Sequence, residues 1–394
     1  MNSFDEAVAL TLPLCAPLEA ETIPLTQAHG RVLAAPVTAR TDSPRAAVSA
    51  MDGYAVKGAA LVGREFRLIG HSYPGAAYDG DVGEDQAVRI FTGAPVPSGA
   101  DRVVMQENIT RDGDLATVTD AGSGATHIRA QGSDFKAGDE LLPAGRLLDA
   151  RAMVAAGGAD HAEIEVVRRP GVIVIGTGDE LLEPGSAHLT RHGIPESVSF
   201  GVAALTEAWG GVALARLRLA DDLAHLKSAA AEALSQADVA VVTGGASVGE
   251  RDFARAMFED CGLELIFSKV EMKPGKPVWL GRAQGKLIVG LPGNPTSAMV
   301  TGRLFLAPLI AGLAGRDPKA AWRWRTAALA SDVPRTGDRE TFYRGRIGAG
   351  GTVIPALDQD SGSQKTIAEA DVLIRRRAEA PAAPAGAEVE VLDF

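Results

Sequence analysis

The chain has 394 residues, 46% of them hydrophobic and 23% charged, which predicts a soluble globular protein of roughly two to four compact units. Lys and Arg total 39 against 50 Asp and Glu, and the resulting net charge of −11 excludes a general nucleic-acid binder while leaving room for a local anion pocket. Two distant cysteines, Cys15 and Cys261, write neither a disulfide framework nor a CxxC zinc site and fit a reducing cytoplasm.

Met1 to Leu14 carries Asp5 and Glu6 and no basic segment before an apolar run, so no secretory signal is expected. Phe4, Ala7, Val8 and Leu12 predict a helix within 3–20, and Ile23 to Pro36 reads as a turn-linked extended arm. From Thr41 to Gly138 short β-like pieces follow: Tyr54–Val56, Phe66–Ile69, Gln86–Ile90, Arg102–Gln106 and Ala116–Thr119. Asp149 is a natural N-cap for Ala150–Ala156, and Ala162–Val166 alternates like a strand.

From Gly171 strand and helix alternate. Val172–Ile175, Ala213–Leu219, Asp238–Val242, Leu263–Lys269 and Leu287–Val289 read as strands; Val198–Trp209, Leu223–Ser235, Phe253–Cys261 and a long segment after Pro295 read as helices. The alternation predicts a doubly wound α/β domain on a parallel sheet, with ligands beyond the carboxyl ends of its strands. The apolar stretch Ser297–Gly315 contains Arg303 and Pro308 and reads as a buried helix, not a membrane span. Trp322–Leu329, Phe342–Arg346, Val353–Pro355 and Val389–Leu392 predict a small C-terminal β domain. The expected organisation is a linking domain (1–40 with 139–169), a β-rich inserted module (41–138), the α/β domain (170–315) and the β domain (316–394).

Several motifs fall on strand ends. Val172-Ile-Val-Ile-Gly-Thr-Gly-Asp-Glu-Leu181 begins like a dinucleotide fingerprint, but Leu181 replaces the third glycine, which leaves Asp179 and Glu180 as oxygen donors suited to a divalent cation or, equally, as solvated loop acids. Val239-Ala-Val-Val-Thr-Gly-Gly-Ala-Ser-Val-Gly-Glu-Arg-Asp252 runs a strand into a glycine loop and a helix. Gly244 and Gly245 let backbone N–H groups converge on a phosphate, Ser247 adds a hydroxyl and Asp252 a carboxylate. Asp221-Asp222 is a third acidic strand end, by itself more in keeping with a helix N-cap. Lys269, Lys273 and Lys276 cluster among prolines, and point charges so grouped suit a multiply charged oxyanion, although a solvated lysine face reads similarly. Leu291-Pro-Gly-Asn-Pro295, with Pro292, Gly293 and Asn294, forms another strand-end loop, and these loops are expected to share one crevice.

In the β-rich module Asp52 and Thr92 sit at turn-forming stretches, Ser49–Val56 and Phe91–Pro97; Arg129 and Asp134 read as a surface ion pair, and Arg344 and Thr366 as ordinary surface residues. His188 and His192 are four apart but lack the Glu of HExxH, so no zinc site is read there. Neither a GxxxxGK[ST] phosphate loop nor a GxSxG nucleophile turn occurs.

Taken in order, Ser49–Val56, Thr92–Glu107, Thr177–Leu181, Thr243–Asp252, Lys273–Pro277 and Leu291–Pro295 resemble the molybdopterin molybdenumtransferase family (MoeA), related to the gephyrin E domain, over nearly the whole chain. The resemblance implies four domains in an elongated homodimer whose composite site joins the α/β domain of one subunit to the β-rich module of the other. It also implies insertion of molybdate into the dithiolene of adenylylated molybdopterin, with Mg²⁺-dependent cleavage of the adenylate and release of AMP. Asp52, Thr92, Asp134, Asp221, Asp252, Lys269 and Lys273 match its catalytic positions. Arg129, Gly244, Gly245, Ser247, Lys276, Pro292, Gly293, Asn294, Arg344 and Thr366 are the expected binding residues, and Glu180, Asp221 and Asp252 the expected metal ligands. A cytoplasmic location, no nucleic acid, no membrane, and transient contact with other cofactor-biosynthesis proteins are further expectations.

The chain departs from the family after Ile194, where Pro195-Glu-Ser-Val198 stands in place of Asp-Ser/Thr-Asn. Two alternatives belong to other classes: a molybdopterin carrier or scaffold without turnover, or with altered specificity, and an unrelated nucleotide-dependent phosphotransferase, which the missing phosphate loop disfavours.

Overall fold

Ser3 opens the first helix, α1 (Phe4–Thr11), with a reciprocal cap: its hydroxyl accepts the Glu6 N–H and the Glu6 carboxylate accepts the Ser3 N–H. The helix is shorter than its apolar rhythm suggests, passing into a 3₁₀ turn at Leu12–Leu14, because Pro13 has no N–H with which to continue the ladder. The computed structural model describes residues 1–244 and 253–394. It divides into two units, one of Ile23–His29 and Ala35–Ile164, the other of Met1–Thr22, Gly30–Ala34 and Glu165–Phe394.

The first of these units is built on a six-stranded sheet: β1 (Gly53–Val56), β2 (Glu65–Ser72), β3 (Gln86–Ile90), β4 (Arg102–Met105), β5 (Ile109–Asp112) and β6 (Leu115–Val118), in the order β4-β1-β3-β2-β6-β5. All neighbours are antiparallel except β2 and β3. Alternate residues of β1 enter different cores, Tyr54 and Val56 on one face and Ala55 on the other. Helix α2 (Ala150–Gly158) starts where expected, with the Asp149 carboxylate accepting the Ala152 N–H at 2.9 Å.

In the second unit β7 (Gly171–Thr177), α3 (Val198–Ala208), β8 (Val212–Leu219), α4 (Leu223–Gln236), β9 (Val239–Thr243), α5 (Phe253–Glu259), β10 (Glu264–Phe267), β11 (Trp279–Ala283) and β12 (Lys286–Leu291) follow in sequence. The sheet order is β8-β7-β9-β12-β11-β10. Val172, Val174, Val239 and Val241 pack toward α3 and the long helix; Ile173, Ile175, Ala240 and Val242 pack toward α4 and α5. Helices on both faces make the sheet doubly wound, as the alternation implied. The all-parallel expectation is corrected at one edge. Only Gln284 and Gly285, both at positive φ, separate β11 from β12, and so short a turn forces an antiparallel hairpin. Strand β10 joins antiparallel to β11.

The long apolar helix runs from α6 (Pro295–Thr301) through a π-helical turn, Gly302–Leu306, into α7 (Ala307–Leu313). It is long and apolar enough to cross a membrane, but 94% of its apolar window lies inside the protein. Pro308 cannot donate to the Leu304 carbonyl, and the Trp322 indole N–H takes that acceptor at 2.7 Å. Phe4 of α1 packs on Phe305 and on Phe342, with ring centroids 5.8 and 5.0 Å away.

The C-terminal portion comprises β13 (Arg325–Ala328), β14 (Glu340–Ile347), β15 (Val353–Pro355), α8 (Gln364–Ala368), β16 (Val372–Arg376) and β17 (Glu388–Asp393). Its sheet order is Met272–Lys273, β14, β16, β17, β13, with β15 beside β14. Strand β16 was not anticipated. Its arginines mimic a surface, yet Arg375 is 7% exposed, forming ion pairs with Glu340 and Asp5.

Candidate active site

The chain passes from β7 outward to β8 and then returns to the other side of β7 as β9, so the carboxyl ends of β7 and β9 flank a switch in winding direction. A cleft of about 610 Å³ opens there. Its walls come from the β7 end (Thr177, Gly178, Glu180), the β8 end (Asp221), the β9 end (Thr243, Gly244), the β12 end (Pro292 to Pro295), Pro277, the segment Ile194–Val198 and Gln364 of α8. Of the expected site residues, Glu180, Asp221, Gly244, Pro292, Gly293 and Asn294 are brought together in it.

Backbone shape at two positions requires glycine. Gly178 has φ +153° and a Cβ there would lie 2.8 Å from the Glu180 carboxylate; Gly244 has φ +91° and its Cβ would lie 2.5 Å from the Thr177 carbonyl oxygen. The Gly244 and Gly293 loops also touch, a Cβ on Gly293 falling 3.3 Å from the Gly244 Cα. The acidic pair at 221–222 divides its work: the Asp222 carboxylate caps α4 through the His225 N–H at 3.0 Å, while Asp221, whose N–H donates to Asp179 at 3.0 Å, faces the cleft.

Other expected residues stand elsewhere. Lys269, Lys273 and Lys276 do not line the cleft, although Pro277 after them does; Met272–Lys273 is held as an edge strand beside Glu340–Thr341. Arg344 and Thr366 are not the surface residues their chemistry suggested, being 1% and 9% exposed. The Arg344 guanidinium donates to the Asp360 carbonyl at 3.0 Å and its Nε has no partner among the described residues. Burial lowers its pKa from the ordinary arginine value, against the pull of Asp358 and Asp360. The Thr366 and Ser363 hydroxyls share a hydrogen bond of 2.8 Å. This segment is moored to the cleft wall, where Asn294 donates to the Ser361 hydroxyl and the Thr296 hydroxyl to the Ser363 carbonyl, both at 3.0 Å. Gly245, Ser247 and Asp252 lie outside the described residues.

The sequence matches three family models: the MoeA N-terminal region (domain I and II) over residues 2–158, a probable molybdopterin binding domain over 173–312, and the MoeA C-terminal region (domain IV) over 326–394. It is 36% identical over 348 residues to the molybdopterin molybdenumtransferase of Haemophilus influenzae, covering 88% of this chain and 86% of that protein. The enzyme of the same name from Staphylococcus aureus (strain Mu50) is 32% identical over 369 residues, covering 91% and 87%. The chain belongs to the MoeA family. A solved MoeA molybdopterin-biosynthesis protein from Pyrococcus horikosii, 26% identical, matches 100% of this chain and 98% of its own with a TM-score of 0.84.

Within the MoeA N-terminal region the structure pairs two expected residues. The Asp52 carboxylate accepts the Thr92 N–H at 2.7 Å and the Thr92 hydroxyl at 2.8 Å, and these two bonds hold its carboxyl below the usual range. Arg129 lies exposed on a short strand, Ile128–Arg129, beside Val48–Ser49. Among the described residues no ion pair joins it to the exposed Asp134, contrary to the surface pairing expected.

Glu180 and Asp221 are hard oxygen donors lining the same cleft, and although no group of three or more metal-ligating side chains forms among the described residues, Mg²⁺ is commonly held by only one or two carboxylates with substrate phosphate and water, so these donor types suit that ion. Two cleft residues escaped the motif reading. Thr177 was seen only as part of a glycine turn. Glu196 was seen only within the departure from the family pattern, yet it is 4% exposed on the cleft wall.

Proposed function

We infer that this chain is a molybdopterin molybdenumtransferase of molybdenum cofactor biosynthesis, inserting molybdate into the dithiolene of adenylylated molybdopterin and releasing AMP. The observation that carries the reading is the convergence of glycine turns and carboxylates at the switch point of a MoeA-family α/β domain. The Gly178, Gly244 and Gly293 turns let the backbone approach the substrate's pyrophosphate closely. Lys269, Lys273 and Lys276 attract molybdate, with Arg344 and Thr366 as further contacts to the oxyanion. Glu180 and Asp221, joined by Asp252, would hold Mg²⁺, which supplies charge neutralisation at the phosphoryl oxygens when bound. Attack on phosphorus by a water or molybdate oxygen expels AMP, so no protein nucleophile is needed.

The working form in this reading is a homodimer, in which Asp52, Thr92, Arg129 and Asp134 of one subunit complete the cleft of the other. It acts in the cytoplasm and meets other cofactor-biosynthesis proteins only transiently. The test is a single-turnover assay with adenylylated molybdopterin, omitting molybdate or Mg²⁺ in turn. AMP release that needs both is expected; tight binding without release would instead identify a carrier. Lys273→Ala is expected to weaken molybdate binding about tenfold while changing pterin affinity little, through loss of one charge-assisted contact. Equal losses for both ligands would contradict the role given to the lysines.

A further inference from the structure

Arg303 is 4% exposed and, among the described residues, has no acidic side chain as an ion-pair partner. It sits in the π-helical turn after α6, its guanidinium 4.8 Å above the centre of the Trp209 ring. Nε donates to the Asp393 carbonyl at 2.9 Å and Nη1 to the Ala321 carbonyl at 2.7 Å, which leaves Nη2 without a hydrogen bond among the described residues. Burial pushes its pKa down to about 10, against the pull of Asp393, so the group remains charged at neutral pH. A buried cation held only by carbonyls and an aromatic face gains strongly from an anion brought to its free nitrogen.

The fold leaves room for that anion. A cavity of about 320 Å³ is lined by Arg303, Arg323 and Arg325, with Trp209, Leu392 and Phe394 among its walls. Its one acidic side chain, Asp393, is engaged by Arg325 at 3.0 Å, whereas Arg323 is exposed and forms no ion pair among the described residues. Three guanidinium side chains against one carboxylate side chain leave two positive charges, in a protein whose net charge is −11. The cavity is separate from the catalytic cleft: Val198, at the start of α3, lines the cleft, and Trp209, just past its end, lines the cavity, roughly 16 Å along the helix axis. Arg316 donates to the Ala208 carbonyl at 3.0 Å and so offsets the negative end of α3 beside the cavity.

We propose that this cavity is a second ligand site that takes a small organic phosphate monoester, its phosphate held by Arg303 and Arg323 and its organic part lying against Trp209, Leu392 and Phe394. A dianion matches the excess of two charges, and guanidinium groups suit phosphate oxygens through directed N–H donors. A monocarboxylate would leave one positive charge unmet. A free tetrahedral oxyanion would fill only a small part of the cavity and leave its apolar wall against water. The site uses no residue of the catalytic cleft, so it stands independently of the transferase reading.

The experiment titrates the whole protein with phenyl phosphate, inorganic phosphate and benzoate by calorimetry, in the wild type, Arg323→Ala, Arg303→Met and the cleft variant Gly244→Ala. Saturable binding of phenyl phosphate is expected, at least about tenfold tighter than that of inorganic phosphate or benzoate. Arg323→Ala should weaken it about threefold to tenfold and Arg303→Met about tenfold or more, while Gly244→Ala leaves it within about twofold of wild type. No saturable binding overturns the proposal. So does phenyl phosphate bound no more tightly than inorganic phosphate, which marks an adventitious ion only. Binding that is lost in Gly244→Ala and kept in both arginine variants belongs to the catalytic cleft and overturns it as well. Should Arg303→Met fail to fold, Arg323→Ala, a change at an exposed position, decides alone: unchanged affinity there overturns the proposal.

Discussion

Asp238 ties the starts of several strands together. Its carboxylate accepts from two Arg168 nitrogens and from the Gly171 N–H, each at 2.8 Å, and Lys286 stands 3.6 Å away. Burial pushes this carboxyl up, but Arg168, the Gly171 N–H and Lys286 together outweigh burial and hold it below its ordinary value. A folded-state pKa below the unfolded one stabilises the fold above the unfolded value and loses that stabilisation as pH falls through the folded value. Asp238→Asn should thus cost about 1–3 kcal/mol at neutral pH, with the gap to wild type narrowing below about pH 4. Denaturant unfolding at both pH values reads this directly, and a gap that persists in acid would contradict it. Cys15 offers a second residue-scale check, because burial pushes its thiol up to about 12. Iodoacetamide near pH 8 should spare Cys15 in the native protein while reaching the only partly buried Cys261. Equal labelling of the two would contradict the buried placement.

At the scale of elements, the cleft depends on loops whose shape few residues tolerate. Gly244→Ala puts a Cβ 2.5 Å from a backbone oxygen at φ +91°. The expected cost is about 1–3 kcal/mol of stability, with at least about a tenfold loss in single-turnover AMP release, because the loop must move off the Thr177 turn. Calorimetry and the release assay measure the two separately; wild-type release would show that the loop does not approach the phosphates. Most elements were legible from periodicity, since buried strands such as Val172–Ile175 and capped helices such as Ala150–Gly158 carry their signal locally. Strand β11 was not, because its role depends on a two-residue turn and a neighbour at the sheet edge; β16 was not, because its buried Arg375 is satisfied by Glu340 and Asp5, which lie far away in sequence.

For the whole molecule, the proposed composite site makes a prediction about subunit mixing. Asp52→Ala and Asp221→Ala proteins, each of very low activity, should recover about a quarter of wild-type AMP release when co-refolded as equal mixtures, since half the dimers are mixed and each carries one intact site. No recovery, with mixed dimers demonstrated by mass, would place both residues in the site of a single subunit.

The alternation of strands and helices, the glycine turns and acids at strand ends, and the ordered motifs that mark the family are all written locally in the chain. These are local properties, set within a few residues by backbone preference and side-chain period. It takes the folded chain to bring Glu180, Asp221, Gly244 and Gly293 into one cleft, to set the lysine segment as an edge strand beside β14, to bury Arg344, and to place Glu196 on the cleft wall. Those facts depend on which strands become neighbours and how their ends are covered, and burial of a charged side chain is decided by partners that the surrounding sequence does not name.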